Sequence, residues 1–228
     1  MSKEKRKEVT NEDQALAVIK EQSKEVGFLA DEDFFEVIGR YDNIPYLNLV
    51  QRNSPQAEEH DPGTILLVTG SATINIGSEL DAIVLANRHR ASHFTDETMV
   101  NSFDHTSELF VEIDKKAKEG GLNGYMAGTE YLFWLPEHNT YACLFCASKT
   151  LKRFAREQLK AYHGEACTIS SHLIQSKKHS WYGLTANKCT RTLKTTPDSE
   201  DLVSKIQMFK NPDTSQEPEP ASTDNEER

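Results

Sequence analysis

Three groups of side chains in this chain have types and spacings that chemistry uses. Cys143-Leu144-Phe145-Cys146 has the C-x-x-C spacing of zinc and redox sites. Zinc needs four ligands, and the other cysteines, Cys167 and Cys189, stand apart instead of forming a second pair. Residues three apart on a strand point to opposite faces. Inside the apolar run Thr140–Ala147 the motif therefore reads as two buried, small, apolar side chains. A redox pair stays open as the alternative, although Ala147-Ser148 separates the motif from the helix that follows. His89 and His93 have the i, i+4 spacing of helical metal ligands, with His105 further on. No acid–histidine motif accompanies them, so they read as surface or loop histidines.

The third group is Lys177-Lys178-His179-Ser180-Trp181-Tyr182, where cations and aromatic rings meet in six residues. Cations can follow a phosphate backbone while bases stack on aromatic faces, the combination that holds single-stranded nucleic acid. Neighbouring strand residues point to opposite faces, so at least one of Trp181 and Tyr182 is expected to face solvent. Other chemistries lack their residues. Val68-Thr69-Gly70-Ser71-Ala72 has neither the lysine nor the second glycine of a phosphate-binding loop. Ser54, Ser71 and Ser148 stand in no nucleophile-elbow context. The carboxylates are plentiful but scattered, with no pair that suggests two-metal chemistry. A non-enzymatic protein without a metal or cofactor is expected.

Charge distribution sharpens that reading. The 228 residues sum to a net charge of −10, which argues at first against a polyanionic partner. By segment, residues 1–30 are neutral, 31–140 carry −12, 141–196 carry +8 and 197–228 carry −6. An acidic total therefore conceals one strongly basic block, and the total does not decide the partners of that block. Its cations include Lys149, Lys152, Arg153, Arg156, Lys177, Lys178 and Lys188, interleaved with Tyr141, Trp181 and Tyr182. The seven cations are assigned to phosphates and the three aromatics to base stacking. Phe145 and Phe154 are assigned to the core.

The elements that must position these residues follow from local pattern. Residues 1–40 read as a polar helical segment, with Thr10-Asn11-Glu12-Asp13 as a helix start and a second short helix near residues 31–38. Residues 41–195 read as a β domain, punctuated by Asn53-Ser54-Pro55, Asp61-Pro62-Gly63 and Thr69-Gly70-Ser71. Strands are expected at 44–50, 64–68, 73–76 and 80–86, then an acidic insertion at about 86–127 that contains a helix at 107–118. A hairpin at 130–135 and 140–147 turns on Glu137-His138-Asn139. Ser148 caps a helix from Lys149 to His163 that Gly164 stops, with its cations opposite an apolar stripe. A strand at 166–174 and a final hairpin complete the domain. Residues 196–228 read as an acidic, largely disordered tail after one short amphipathic piece at 202–209. The order suggests a mostly β, α+β protein built on a small OB-fold-like barrel. No stretch approaches the roughly 18 apolar residues of a membrane span, and no signal peptide is visible, so a cytoplasmic protein is expected.

The layout of Ile44–Gln51, Asp61-Pro62-Gly63-Thr64, Gly128–Pro136 and Lys178-His179-Ser180-Trp181-Tyr182 resembles small bacteriophage-encoded proteins. The general resemblance is to phage single-stranded-DNA-binding proteins, with an OB-fold core and an acidic C-terminus. It implies sequence-independent binding of single-stranded DNA in replication, recombination or repair, in the host cell cytoplasm. It also implies recruitment of replication or recombination proteins through the tail. Members commonly close the acidic run with an aromatic residue, whereas this chain ends Asn225-Glu226-Glu227-Arg228. The alternative is a phage interaction or structural protein whose basic helix docks an acidic protein partner.

Overall fold

A computed structural model describes residues 44–69, 72–94, 99–120 and 124–212. The expected N-terminal helices at 1–40 and the acidic residues from 213 onward lie outside the described residues.

Nine strands among the described residues form one mixed sheet. In chain order they are β1 (Tyr46–Leu49), β2 (Ile65–Thr69), β3 (Ala72–Gly77), β4 (Glu79–Phe94), β5 (Met99–Ser102), β6 (Tyr125–Leu135), β7 (Thr140–Cys146), β8 (Ala166–Gln175) and β9 (Ser180–Lys188). Three helices join them: α1 (Glu108–Glu119), α2 (Lys149–Glu157) and α3 (Ser199–Lys210). The spatial order is β3-β2-β1-β7-β6-β4-β8-β9, with β5 beside β4. Every ladder is antiparallel except β1 with β7. The fold is mostly β and α+β, as expected. Its end strands β3 and β9 do not pair with each other, so the sheet is open and not a closed barrel.

The expected insertion at 86–127 is not a separate unit. β4 runs 16 residues without a break: Glu79–Ile83 pair with β8, and Ile83–His93 pair with β6. The sequence pattern ends this strand near Ala86 because Arg88-His89-Arg90 interrupts the apolar run. The strand continues because Arg88 and Arg90 are buried with the Glu130 carboxylate between them. α1 starts where expected, with Ser107 Oγ accepting from Phe110 N, and closes over Ala91 and Ala127. His89 and His93 therefore sit on a strand rather than a helix, half-buried beneath α1. At about 3.3 Å per residue their Cα atoms are roughly 13 Å apart, too far to share one metal ion. His93 instead stacks on Tyr125, with ring centroids 3.8 Å apart.

Glu130 and Tyr131 are adjacent on β6 and so face opposite sides of the sheet. Tyr131 Oη donates to Ala155 O of α2, while Arg88, paired with Glu130, donates to Phe209 O of α3. The two helices thus cover opposite faces. The tail expected from residue 196 must be corrected accordingly: α3 buries Leu202, Ile206 and Phe209 in the main core. Its N-cap, Asp198, accepts from Glu200 N and Asp201 N, and Thr195 O accepts from Trp134 Nε1. Residues 196–212 are part of the fold.

Candidate nucleic-acid interface

β7 delivers the chain to Ser148, whose Oγ accepts from Leu151 N and fixes the start of α2. Phe154 and Ala155 go into the core while Lys149, Lys152, Arg153 and Arg156 stay exposed. α2 packs against β9, and Gly183 makes this close approach possible. A Cβ there would stand 2.5 Å from Ile174 Cδ1 and 3.3 Å from Thr150 Cγ2. Two residues before it, Trp181 Nε1 donates to Thr150 Oγ1 at 3.0 Å, so the indole is held against the first turn of α2.

Tyr182 faces the other way and packs against the main core. Its ring lies on Gly63, where φ is 93° and a Cβ would stand 2.4 Å from Tyr182 Cε1. Its backbone is held as well: Tyr182 N donates to Gln51 Oε1 at 2.9 Å, and Gln51 Nε2 donates to Tyr182 O at 3.0 Å. A glutamine side chain thus takes the place of a neighbouring strand on β9. Further along the same strand Ala186 N donates to Gln158 Oε1 at 2.7 Å. The two amides protect an edge that would otherwise present free backbone groups.

Between β1, the start of α2 and β9 lies a groove of about 410 Å³, lined by Asn48, Gln51, Phe145, Thr150, Trp181 and Tyr182 among others. Lys149 adjoins Thr150, and Lys177 and Lys178 project from the Ser176–His179 turn, which Ser176 Oγ closes by accepting from His179 N. Of the expected binding residues the groove itself is lined by Trp181 and Tyr182, while Lys149, Lys152, Lys177 and Lys178 are exposed on α2 and on the turn before β9. Arg153 and Arg156 lie on the same helix but share one carboxylate, at 2.8 Å and 3.0 Å from Glu157.

Two of the expected contacts are not at this cleft. Tyr141 is buried, with its ring edge-on to Trp134 at 5.0 Å, so no base can stack on it. Burial, with the Asp201 carboxylate facing it, pushes its phenol well above the ordinary range. Lys188 ends β9 seven residues beyond Trp181, roughly 23 Å away at strand rise. Conversely, Phe145 was expected in the core but is half-buried in the cleft, with the Arg90 guanidinium 4.8 Å from its ring. Asn48, Gln51 and Thr150 were not anticipated. Their available signal is an amide placed inside the apolar run Leu47-Asn48-Leu49-Val50-Gln51.

Cys143 and Cys146 are fully enclosed free thiols, and burial pushes both well above the ordinary thiol value. Among the described residues no cluster of three or more His, Cys, Asp or Glu could hold a metal ion. No described helix is long and apolar enough to cross a membrane. No family model matches the chain, and neither a curated protein nor a solved structure matches it.

Proposed function

We propose that the cleft between α2 and β9 binds single-stranded DNA without sequence selection along most of its length, in replication, recombination or repair. A base stacks on Trp181, while Lys149 and Lys152 on one side and Lys177 and Lys178 on the other neutralise phosphates. The observation that carries this reading is the placement of Trp181. Its indole is fixed by Thr150 at the wall of an uncharged groove, with Lys149 next to Thr150 in the chain and Lys177 and Lys178 in the turn before β9. Stacking on such a ring is worth about 1–3 kcal/mol per base and is indifferent to base identity. The barrel-like part of the expectation has related support. The sheet bends until β9 meets Gln51 and Ser171 Oγ reaches Gly63 O, a partial closure by side chains.

The test is fluorescence of the chain titrated with oligo-dT across a range of salt. Trp134 is buried, so the quenched signal should belong to Trp181 and vanish in Trp181→Phe. Single-strand binding loses about 0.7 log units of affinity per log unit of salt for each neutralised phosphate. Four lysines therefore predict a slope near −3. Absence of quenching, or affinity that ignores salt, would sink the reading. An acidic protein partner would show the same salt dependence but leave Trp181 unquenched by oligo-dT.

A further inference from the structure

Beside the start of α3 lies a second cavity, of about 560 Å³, that shares no lining residue with the groove at Trp181. Trp134 and Tyr141, their rings edge-on, line it from the sheet, and Asp198, Asp201 and Lys205 line it from α3 and its cap. Tyr141 is only 7% exposed, and its hydroxyl is buried without a hydrogen-bond partner. That hydroxyl faces the Asp201 carboxylate closely enough to feel its charge, with Asp198 near it, but no hydrogen bond joins them. It is thus aimed at the carboxylates that line the cavity. The polar groups around it are engaged. Asp198 Oδ1 accepts from two amides of α3, Trp134 Nε1 donates to Thr195 O, and Thr140 Oγ1 donates to Tyr141 O. A buried hydroxyl left unpaired is destabilising, and phenylalanine would fill the same space without that penalty. The hydroxyl therefore points to a ligand.

We propose that this cavity binds a primary ammonium group between the Tyr141 hydroxyl and the carboxylates of Asp198 and Asp201. An ammonium brings three donors and no acceptor. The site offers three acceptors: Tyr141 Oη, the Asp201 carboxylate and the Asp198 oxygen that does not cap α3. Charge selects the same ligand. With two carboxylates and Lys205 the lining sums to −1, which one monocation balances. An anion would meet both carboxylates, and a divalent ion would be left with excess charge beside Lys205. The Trp134 and Tyr141 rings give the alkyl stem an apolar wall. A lysine side chain of a protein partner and a free amine both carry this group, and a volume of about 560 Å³ has room for either.

Trp134 lines the cavity, so in a Trp181→Phe chain, where it is the remaining tryptophan, its emission reports occupancy. Nα-acetyl-lysine amide and butylamine should each change that emission saturably. Nα,Nε-diacetyl-lysine amide keeps the stem and loses the charge, and should need concentrations about tenfold higher. Tighter binding of the lysine derivative assigns the site to a protein partner, and tighter binding of butylamine assigns it to a free amine. Tyr141→Phe should raise the half-saturating concentration about tenfold, the loss of one hydrogen bond to a charged group. Asp201→Asn, at an exposed position, should do the same and serves as the second variant should phenylalanine repack the core. Both should leave the oligo-dT titration of a chain that keeps Trp181 unchanged, so that the two sites fail separately. Lys205→Met removes the cation that already lines the cavity and should tighten binding. Absence of a saturable change with either amine overturns the inference, as does equal affinity for the diacetylated compound. So does binding that Tyr141→Phe leaves unchanged, or binding seen in Lys205→Met alone, since Lys205 itself would then fill the position.

Discussion

The chain uses its cations in two contrasting ways, beneath α3 and along α2. On the α3 side, Arg88 and Arg90 are almost fully buried around Glu130. Arg88 Nε donates to Glu130 Oε2 at 2.8 Å, and Arg90 Nε donates to Ser92 Oγ and Asn101 Oδ1. The Arg88 guanidinium lies between the rings of Phe103 and Phe209, 4.3 Å and 3.9 Å from their centroids, and also donates to the carbonyl of Phe209 near the end of α3. On the α2 side the cations stand in water, and only Arg153 and Arg156 have an acidic partner on their own helix. The aromatic rings are reversed too: those beside Arg88 are occupied by it, whereas Trp181 has an open groove. Buried charges that are fully satisfied join a helix to the sheet. Exposed ones remain available to a ligand.

The sharpest way to break this contrast is to remove Glu130. Glu130→Leu leaves two guanidinium groups buried without their carboxylate, which should cost about 3–5 kcal/mol, measured by chemical denaturation. Replacing Arg88, Arg90 and Glu130 together with apolar residues should recover most of that loss. Acid should act on the same cluster. Burial pushes the Glu130 carboxyl up, but the charges and hydrogen bonds of Arg88 and Arg90 outweigh burial and hold it below the ordinary carboxylate range. A depressed carboxyl contributes stability above its unfolded value, about 4.3, and loses it as pH falls through the folded value. Stability should therefore drop below about pH 4, and that part of the drop should be absent in Glu130→Gln. A Glu130→Leu chain as stable as the original would show that the buried cluster is not what holds α3.

At the cleft the same kind of experiment should move binding and not stability. Trp181→Ala is expected to weaken oligo-dT binding by about 1–3 kcal/mol with little change in the melting temperature. Tyr141→Phe should leave binding unchanged, because that ring packs on Trp134 away from the cleft. If Tyr141→Phe weakens binding as much as Trp181→Ala, the ligand reaches the Tyr141 hydroxyl and not the groove at Trp181 alone.

How far the sequence discloses this arrangement depends on whether a residue's partners are near in the chain. The β6–β7 hairpin and the starts of α1 and α2 are legible because an apolar alternation, a tight turn or a capping serine is local. The second half of β4 is not legible, since Arg88 and Arg90 look like a solvated break until Glu130, about forty residues away, is seen between them. α3 is only half legible. Its apolar residues are visible, but flanking acids and prolines make them look like part of a tail. Around the cleft, cations and Trp181 stand out by type. Gln51 does not, because its role as a substitute strand depends on Tyr182, 131 positions further on.

The finest division lies within the exposed cations themselves. Lys149→Gln and Lys152→Gln should each reduce the salt slope by about 0.7, since among the described residues the ion pairs of α2 are those of Arg153 and Arg156 with Glu157. Arg153→Gln should reduce it less, because a phosphate reaching Arg153 must displace Glu157 first. Glu157→Gln removes that competitor from both arginines and should tighten binding slightly. Lys188→Gln should change nothing if the ligand is confined to the cleft near Trp181. A reduction as large as that from Lys149 would instead extend the ligand along the whole of β9. Gln51 and Gln158 would then be guarding an edge that DNA follows from end to end.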